Sequence, residues 1–145
     1  MNKLLKGAIT TGIINAIING AIQYFLLKGT TPIPISVDSI TNNVHTVLGT
    51  AVPLAVSLAM ILTVVSYFST KEEKVPFFPS GFWVVLKHGF FTFGVVTALS
   101  VVWQRIFGTI DISLLWAVVM IGFIAGIISG IIEYLSLNAF IINSD

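Results

Sequence analysis

The chain has 145 residues, of which 56% are hydrophobic and only 9% are charged, and its formal net charge is +1. An ordinary soluble domain carries about 25% charged residues, so this composition effectively excludes a soluble globular fold. The small net charge, without a basic patch, argues against a nucleic-acid partner. The absence of cysteine excludes disulfides, thiolate catalysis and cysteine-based metal sites.

Four apolar, charge-poor segments are each long enough to cross a bilayer, which takes about 20 residues. They cover residues 7–27, 46–68, 82–104 and 112–137. We therefore predict an all-α integral membrane protein, with a four-helix bundle as its single domain and the lipid bilayer around it. A bacterial plasma membrane is its expected location.

In the first segment, polar side chains recur at every fourth position in an otherwise apolar run. These residues are Thr11, Asn15, Asn19 and Gln23, and we call them the amide ladder. A buried amide without a partner costs roughly 1–3 kcal/mol by protein mutational data, so the ladder is expected to face protein, water or a ligand. It is the first candidate for a ligand or ion pathway.

Small residues form a groove on the first segment and a second groove on the fourth. The first groove is Gly12, Ala16 and Gly20, and the second is Gly122, Gly126 and Gly130. Grooves of this kind let membrane helices approach closely. We expect the two segments to meet groove to groove, within one chain or between subunits. Packing alone is the simpler interpretation of both grooves.

The loops between the predicted helices say less about the fold than the helices themselves. The turn from Phe107 to Asp111 makes the third and fourth segments an antiparallel hairpin, and Asp111 is placed to cap the fourth helix. The loop from Gly29 to Val44, rich in proline and in alternating Ile and Val, fits an ordinary ordered loop or an extended lid over the helix ends.

Lysines predict the orientation of the bundle. Five fall on one side of this layout, whereas one lysine and one arginine fall on the other. The five are Lys3, Lys6, Lys71, Lys74 and Lys87, and the two are Lys28 and Arg105. Because basic loops are retained in the cytoplasm, we expect both termini there.

The last two segments contain ionisable residues at similar depth: Lys87 and His88 in the third, and Glu133 in the fourth. Such groups usually face the bundle interior and pair with one another. A pair between Glu133 and Lys87 or His88 is expected; the alternative is that Lys87 and Glu133 extend to the headgroups. We place these three residues and Ser129 in the candidate pathway, with Glu133 as a proton-handling group.

No Ser/His/Asp arrangement, phosphate-binding loop or dinucleotide fingerprint appears, so we expect no enzyme activity and no cofactor. No metal site is expected either, since His45 and His88 begin helices that run in opposite directions. The best-supported function is a small transporter or channel subunit for a small solute or ion, working as a homo-oligomer. The alternative is an accessory subunit that packs against another membrane protein through its grooves and amides.

The chain resembles the small multidrug transporters in size and in number of helices. That family has a membrane-embedded glutamate in its first helix, whereas the first segment here carries only amides and a hydroxyl. The resemblance therefore implies a comparable architecture and assigns no residue a role.

Overall fold

A computed structural model describes residues 3–37 and 45–141. This part of the chain contains four long helices, α1 (Lys3–Leu27), α2 (Val47–Ser69), α3 (Phe82–Phe107) and α4 (Leu114–Phe140). All four are long and apolar enough to cross a membrane. The prediction of an all-α chain built from four packed apolar helices is confirmed, and each helix begins and ends within a few residues of its predicted segment.

The order of the helices in space differs from their order in the chain. α1 packs mainly against α4, α4 packs also against α2, and α2 packs against α3. α3 and α4 are consecutive and joined by a short connection, yet they touch each other little. α3 and α4 therefore follow each other in the chain, as predicted, but they do not pack against each other as a hairpin would. Both pack against α2 instead.

Two short strands cover one end of the bundle, which we call the strand end. β1 (Ile33–Ile35) follows α1, β2 (Ile110–Ile112) precedes α4, and the two pair antiparallel with Pro34 opposite Asp111. The side chains of Ile33 and Ile35 are buried among residues from α1, α2 and α4. The remainder of the predicted loop, from Asp38 to Val44, lies outside the described residues.

The capping role expected of Asp111 is wrong. Asp111 lies inside β2, and Ser113 is the residue that precedes the first turn of α4. The side chain of Ser113 makes no capping hydrogen bond. Strand pairing with Pro34 holds Asp111 two residues away from the cap position.

The opposite end of the bundle, which we call the lysine end, is closed by the segment after α2. Lys74 forms a β-bridge with Ile141, and the backbone nitrogen of Val75 donates to the carbonyl of Phe140 at 3.1 Å. The ammonium group of Lys74 donates to two carbonyls at the end of α2, those of Tyr67 and Thr70, at 2.7 and 2.9 Å. A cation is favoured there by the negative end of the helix dipole.

Candidate functional site

The two small-residue grooves lie against each other within one chain. A Cβ built on Gly12 would lie 2.8 Å from the carbonyl oxygen of Gly126, and one built on Gly122 would lie 2.9 Å from that of Ala16. Gly130 approaches the backbone of Ala8 in the same way. A Cβ has no room at Gly12, Gly122 or Gly126, so these glycines allow α1 to approach α4 at this backbone separation.

Gly20, the third residue of the groove on α1, makes a looser contact. The atoms nearest its added Cβ belong to Val118 and Gly122, at 3.8 Å or more. The two helices therefore approach most closely around Gly12 and Gly126, toward the lysine end. Beside this contact runs an apolar surface groove of about 550 Å³, lined by residues such as Ile9, Ile13 and Ile127.

The amide ladder is largely satisfied by its own helix. The side-chain nitrogen of Asn15 donates to the carbonyl of Thr11 at 3.0 Å, and that of Asn19 donates to the carbonyl of Asn15 at 2.9 Å. Asn19 and Gln23 are buried, whereas Thr11 and Asn15 are half-buried. The buried side-chain oxygen of Gln23 makes no hydrogen bond. Two amides of the ladder therefore bond to their own helix, and Gln23 presents a buried oxygen without a partner.

A different group of polar side chains joins three helices. Thr63 and Ser66 lie one turn apart on α2, His88 lies on α3, and Glu133 and Ser136 lie one turn apart on α4. We call these five residues the polar cluster. Thr63 and Ser136 are fully buried and His88 is 7% exposed. Thr63 lies six residues before the end of α2, which places it about 9 Å inside the helix at about 1.5 Å per residue.

His88 is held by hydroxyl groups from both neighbouring helices. Its Nδ1 lies 2.9 Å from Thr63 Oγ1 and 3.3 Å from Ser136 Oγ. The two hydroxyls are themselves 3.3 Å apart. Three polar atoms from three helices therefore form one closed triangle of contacts, with the histidine ring fixed by two of them.

Glu133 makes a contact that the sequence did not predict. Its Oε2 accepts a hydrogen bond from Ser66 Oγ at 2.5 Å. Within the described part of the chain, Glu133 forms no ion pair with Lys87 or His88. Lys87 is exposed on α3, although it directly precedes His88. The expected pairing is therefore not formed: a hydroxyl on α2 holds the carboxylate, and the side chain of Lys87 is exposed.

Ser129 lies on α4 one turn before Glu133, toward the middle of the bundle. It is fully buried, and its Oγ makes no hydrogen bond. Thr92, one turn beyond His88 on α3, is also buried. These two residues extend the polar surroundings from the cluster toward the centre of the bundle.

Beyond the cluster, toward the strand end, the interior is mainly apolar, although the side chains of Ser100 on α3 and Thr46 before α2 are also buried there. Val52, Ala55 and Val96 form one buried group, with Ile128 packed against it. Nearer the strands, a larger group contains Leu27, Ile33, Ile35, Val47, Leu48, Ala117 and Ile121. The polar cluster is therefore separated from the strand end by apolar side chains and lies nearer the lysine end.

The sequence singled out His88, Glu133 and Ser129, but it missed Thr63, Ser66 and Ser136. Serine and threonine occur throughout apolar helices because their hydroxyls bond to a carbonyl of the same helix. Thr63 does so with the carbonyl of Ala59 at 2.6 Å. A sign was nevertheless available, since Thr63, Ser66 and Thr70 follow a helical spacing of three and four residues.

Within residues 3–37 and 45–141, no group of three or more His, Asp and Glu side chains is arranged to hold a metal ion. No family model matches the chain, and neither a curated protein nor a solved structure is significantly similar to it. The geometry of the polar cluster is therefore the basis on which a function is proposed.

Proposed function

We propose that the chain is an integral membrane protein that moves a small ion or solute, and that the polar cluster is its binding site. One observation carries this proposal: His88 and Glu133, from different helices, are both bonded to hydroxyls of α2 inside the bundle. Ionisable groups within membrane helices are rare, and they mark ion pathways and proton relays.

The chemistry of the cluster favours a positively charged ligand. Glu133 is its only carboxylate, and no lysine or arginine is paired with it in the described part of the chain. The hydroxyl oxygens of Thr63 and Ser136 contact His88, and that of Ser66 contacts Glu133. Carboxylate and hydroxyl oxygens suit a proton or a small hard cation better than an anion.

The position of the cluster supports access from the lysine end. About two turns of α2 separate Thr63 from that end, whereas buried apolar residues, including Val52, Ala55 and Val96, lie on the other side. The count of lysines favours a cytoplasmic location for the lysine end. A ligand then enters from the cytoplasmic side, and the apolar groups form the barrier on the way to the other side.

The amide ladder has a smaller role in this proposal than in the sequence-based one. Two of its amide groups donate to carbonyls of their own helix, and α1 is separated from α2 and α3 by α4 in the packing order. Because four short helices enclose little volume, the working form is proposed to be a homo-oligomer.

The accessory-subunit alternative has lost part of its support. It relied on the glycine grooves as contacts for partner helices, and in this chain the grooves on α1 and α4 are occupied by each other. Native mass spectrometry from nanodiscs distinguishes the transport proposal from the accessory-subunit alternative. A homo-oligomer is expected for a transporter. Reproducible co-purification of one different membrane protein is expected for an accessory subunit.

The direct test is ion flux into liposomes that contain the purified protein. Proton entry is followed with an enclosed pH dye, and sodium and potassium are followed with isotope uptake, each under an imposed membrane potential. Flux of at least one of these ions above that of protein-free liposomes is expected. Equal rates in both preparations for all three ions, with the protein inserted and folded, refute the proposal for cations.

A further inference from the structure

The hydrogen bonds of Thr63 determine which nitrogen of His88 carries the proton in the neutral ring. Thr63 Oγ1 lies 2.6 Å from the carbonyl oxygen of Ala59 and 2.9 Å from His88 Nδ1. A carbonyl oxygen has no proton to donate, so the single hydroxyl proton of Thr63 lies between Thr63 and Ala59. The proton between Thr63 and His88 then has to belong to Nδ1.

The hydroxyl of Ser136 fits the same assignment. It lies 3.3 Å from both Thr63 Oγ1 and His88 Nδ1. A protonated Nδ1 is not an acceptor, so Ser136 donates to Thr63. Thr63 then donates one hydrogen bond and accepts two, which is the full capacity of a hydroxyl group. Every polar atom of the triangle has a consistent role only if Nδ1 is protonated.

We propose that Nε2 of His88 is a proton-binding site inside the bundle. A neutral imidazole has one donor and one acceptor nitrogen, so protonation of Nδ1 leaves the lone pair on Nε2. A hydronium ion transfers its proton to this lone pair and leaves as water, and the ring becomes an imidazolium. The bond from Nδ1 to Thr63 is kept throughout, so binding needs no rearrangement of the triangle.

A counter-charge for the imidazolium of His88 is present on α4. The other titratable groups on α2, α3 and α4 are Tyr67, Lys87, Arg105, Glu133 and Tyr134, and Lys74 lies in the segment after α2. Of these, Glu133 is the carboxylate, and it lies one turn from Ser136 and is held by Ser66. Lys87 is exposed and directly precedes His88, and its positive charge opposes that of the imidazolium. Glu133 is the only carboxylate on these three helices, so it supplies the one negative charge opposite the positive charge of Lys87.

This inference deepens the proposed function by naming the proton as the ligand, and it rests on that function only for what the bound proton does. Its test is ¹⁵N NMR of histidine-labelled protein in bilayers, which distinguishes protonated from unprotonated ring nitrogens. The chain has two histidines, so a His45→Gln background leaves His88 alone. At high pH we expect the Nδ1–H form to dominate, and on acidification we expect Nε2 to gain a proton.

Three variants test whether Thr63 determines the position of the proton on His88. Thr63→Val removes the acceptor and is expected to abolish the preference for Nδ1–H. Ser136→Ala is expected to keep it, because Ser136 donates to Thr63. Thr97→Val is the control, since the hydroxyl of Thr97 on α3 makes no hydrogen bond.

A dominant Nε2–H form in the unvaried protein overturns the inference, and so does an Nε2 that stays unprotonated down to pH 4. Both readings come from His88 itself and involve no flux. A negative transport assay therefore does not contradict the proton site on His88. An unexpected tautomer of His88 does not contradict the transport proposal, which the flux assay tests.

Discussion

Replacing Gly126 by alanine adds one methyl group to the closest contact between α1 and α4. The new Cβ would lie 2.9 Å from the Cβ of Ala16 and 3.0 Å from the carbonyl oxygen of Gly12. Ordinary contacts begin at 3.4 Å. The two helices therefore have to separate by about 0.5 Å along this stretch, since neither neighbour is a flexible side chain.

The cost follows from the packing that this separation removes. A gap of about 0.5–1 Å forfeits a quarter to a half of the dispersion energy of each atom pair across it. Overpacking of this kind typically costs about 1–3 kcal/mol. Alanine regains up to about 1 kcal/mol over glycine through its helix propensity in water. A net loss of about 1–2 kcal/mol in the free energy of unfolding is expected for Gly126→Ala.

The assay is reversible unfolding in mixed detergent or by steric trapping, with Gly94→Ala as the matched control. Gly94 lies within α3, and nothing approaches within 4 Å of an added Cβ there. The control makes the same chemical change without a contact, so its stability is expected to equal or exceed that of the unvaried protein. Equal stabilities for both variants would show that the glycine contact is not a source of stability.

Three further predictions concern single features of the bundle. Gln23→Met replaces a buried, unpaired acceptor and is expected to raise the free energy of unfolding by about 1 kcal/mol; a loss of similar size would mean that the amide is bonded in the membrane. Lys74→Met removes two hydrogen bonds to the end of α2 and is expected to speed amide exchange at that helix end, whereas the exposed Lys71→Met is expected to have no effect. The chain has no cysteine, so single cysteines at Ser80 and Thr109 test orientation: an impermeant reagent applied outside the cell is expected to label Thr109→Cys alone, and the reverse would invert the topology.

Much of the fold follows from the sequence because its causes are local. Apolar runs of about 20 residues define the helices, and the spacing of Gly12, Ala16, Gly122 and Gly126 is enough to place α1 against α4. The strands were not predicted, because three residues such as Ile33–Ile35 have no periodicity of their own. Their partner, β2, lies more than 70 residues later in the chain.

The site was predicted only in part, for a related reason. His88 and Glu133 stand out in the sequence because ionisable residues are rare in membrane helices. Their partners are hydroxyls on α2, and nothing in the sequence shows that α2 packs against both α3 and α4. The pairing of Glu133 with Lys87 or His88 is the simplest choice from charge alone, whereas the structure has Glu133 bonded to Ser66 and His88 bonded to Thr63.

The most direct test of the polar cluster as the ion site compares two glutamine variants in the liposome assay. Glu133→Gln removes the carboxylate of the cluster, whereas Glu72→Gln makes the same change at an exposed position outside it. We predict that flux of the transported cation falls at least tenfold in the first variant and is unchanged in the second. Unchanged flux in Glu133→Gln, at equal protein content and equal stability, would contradict the account.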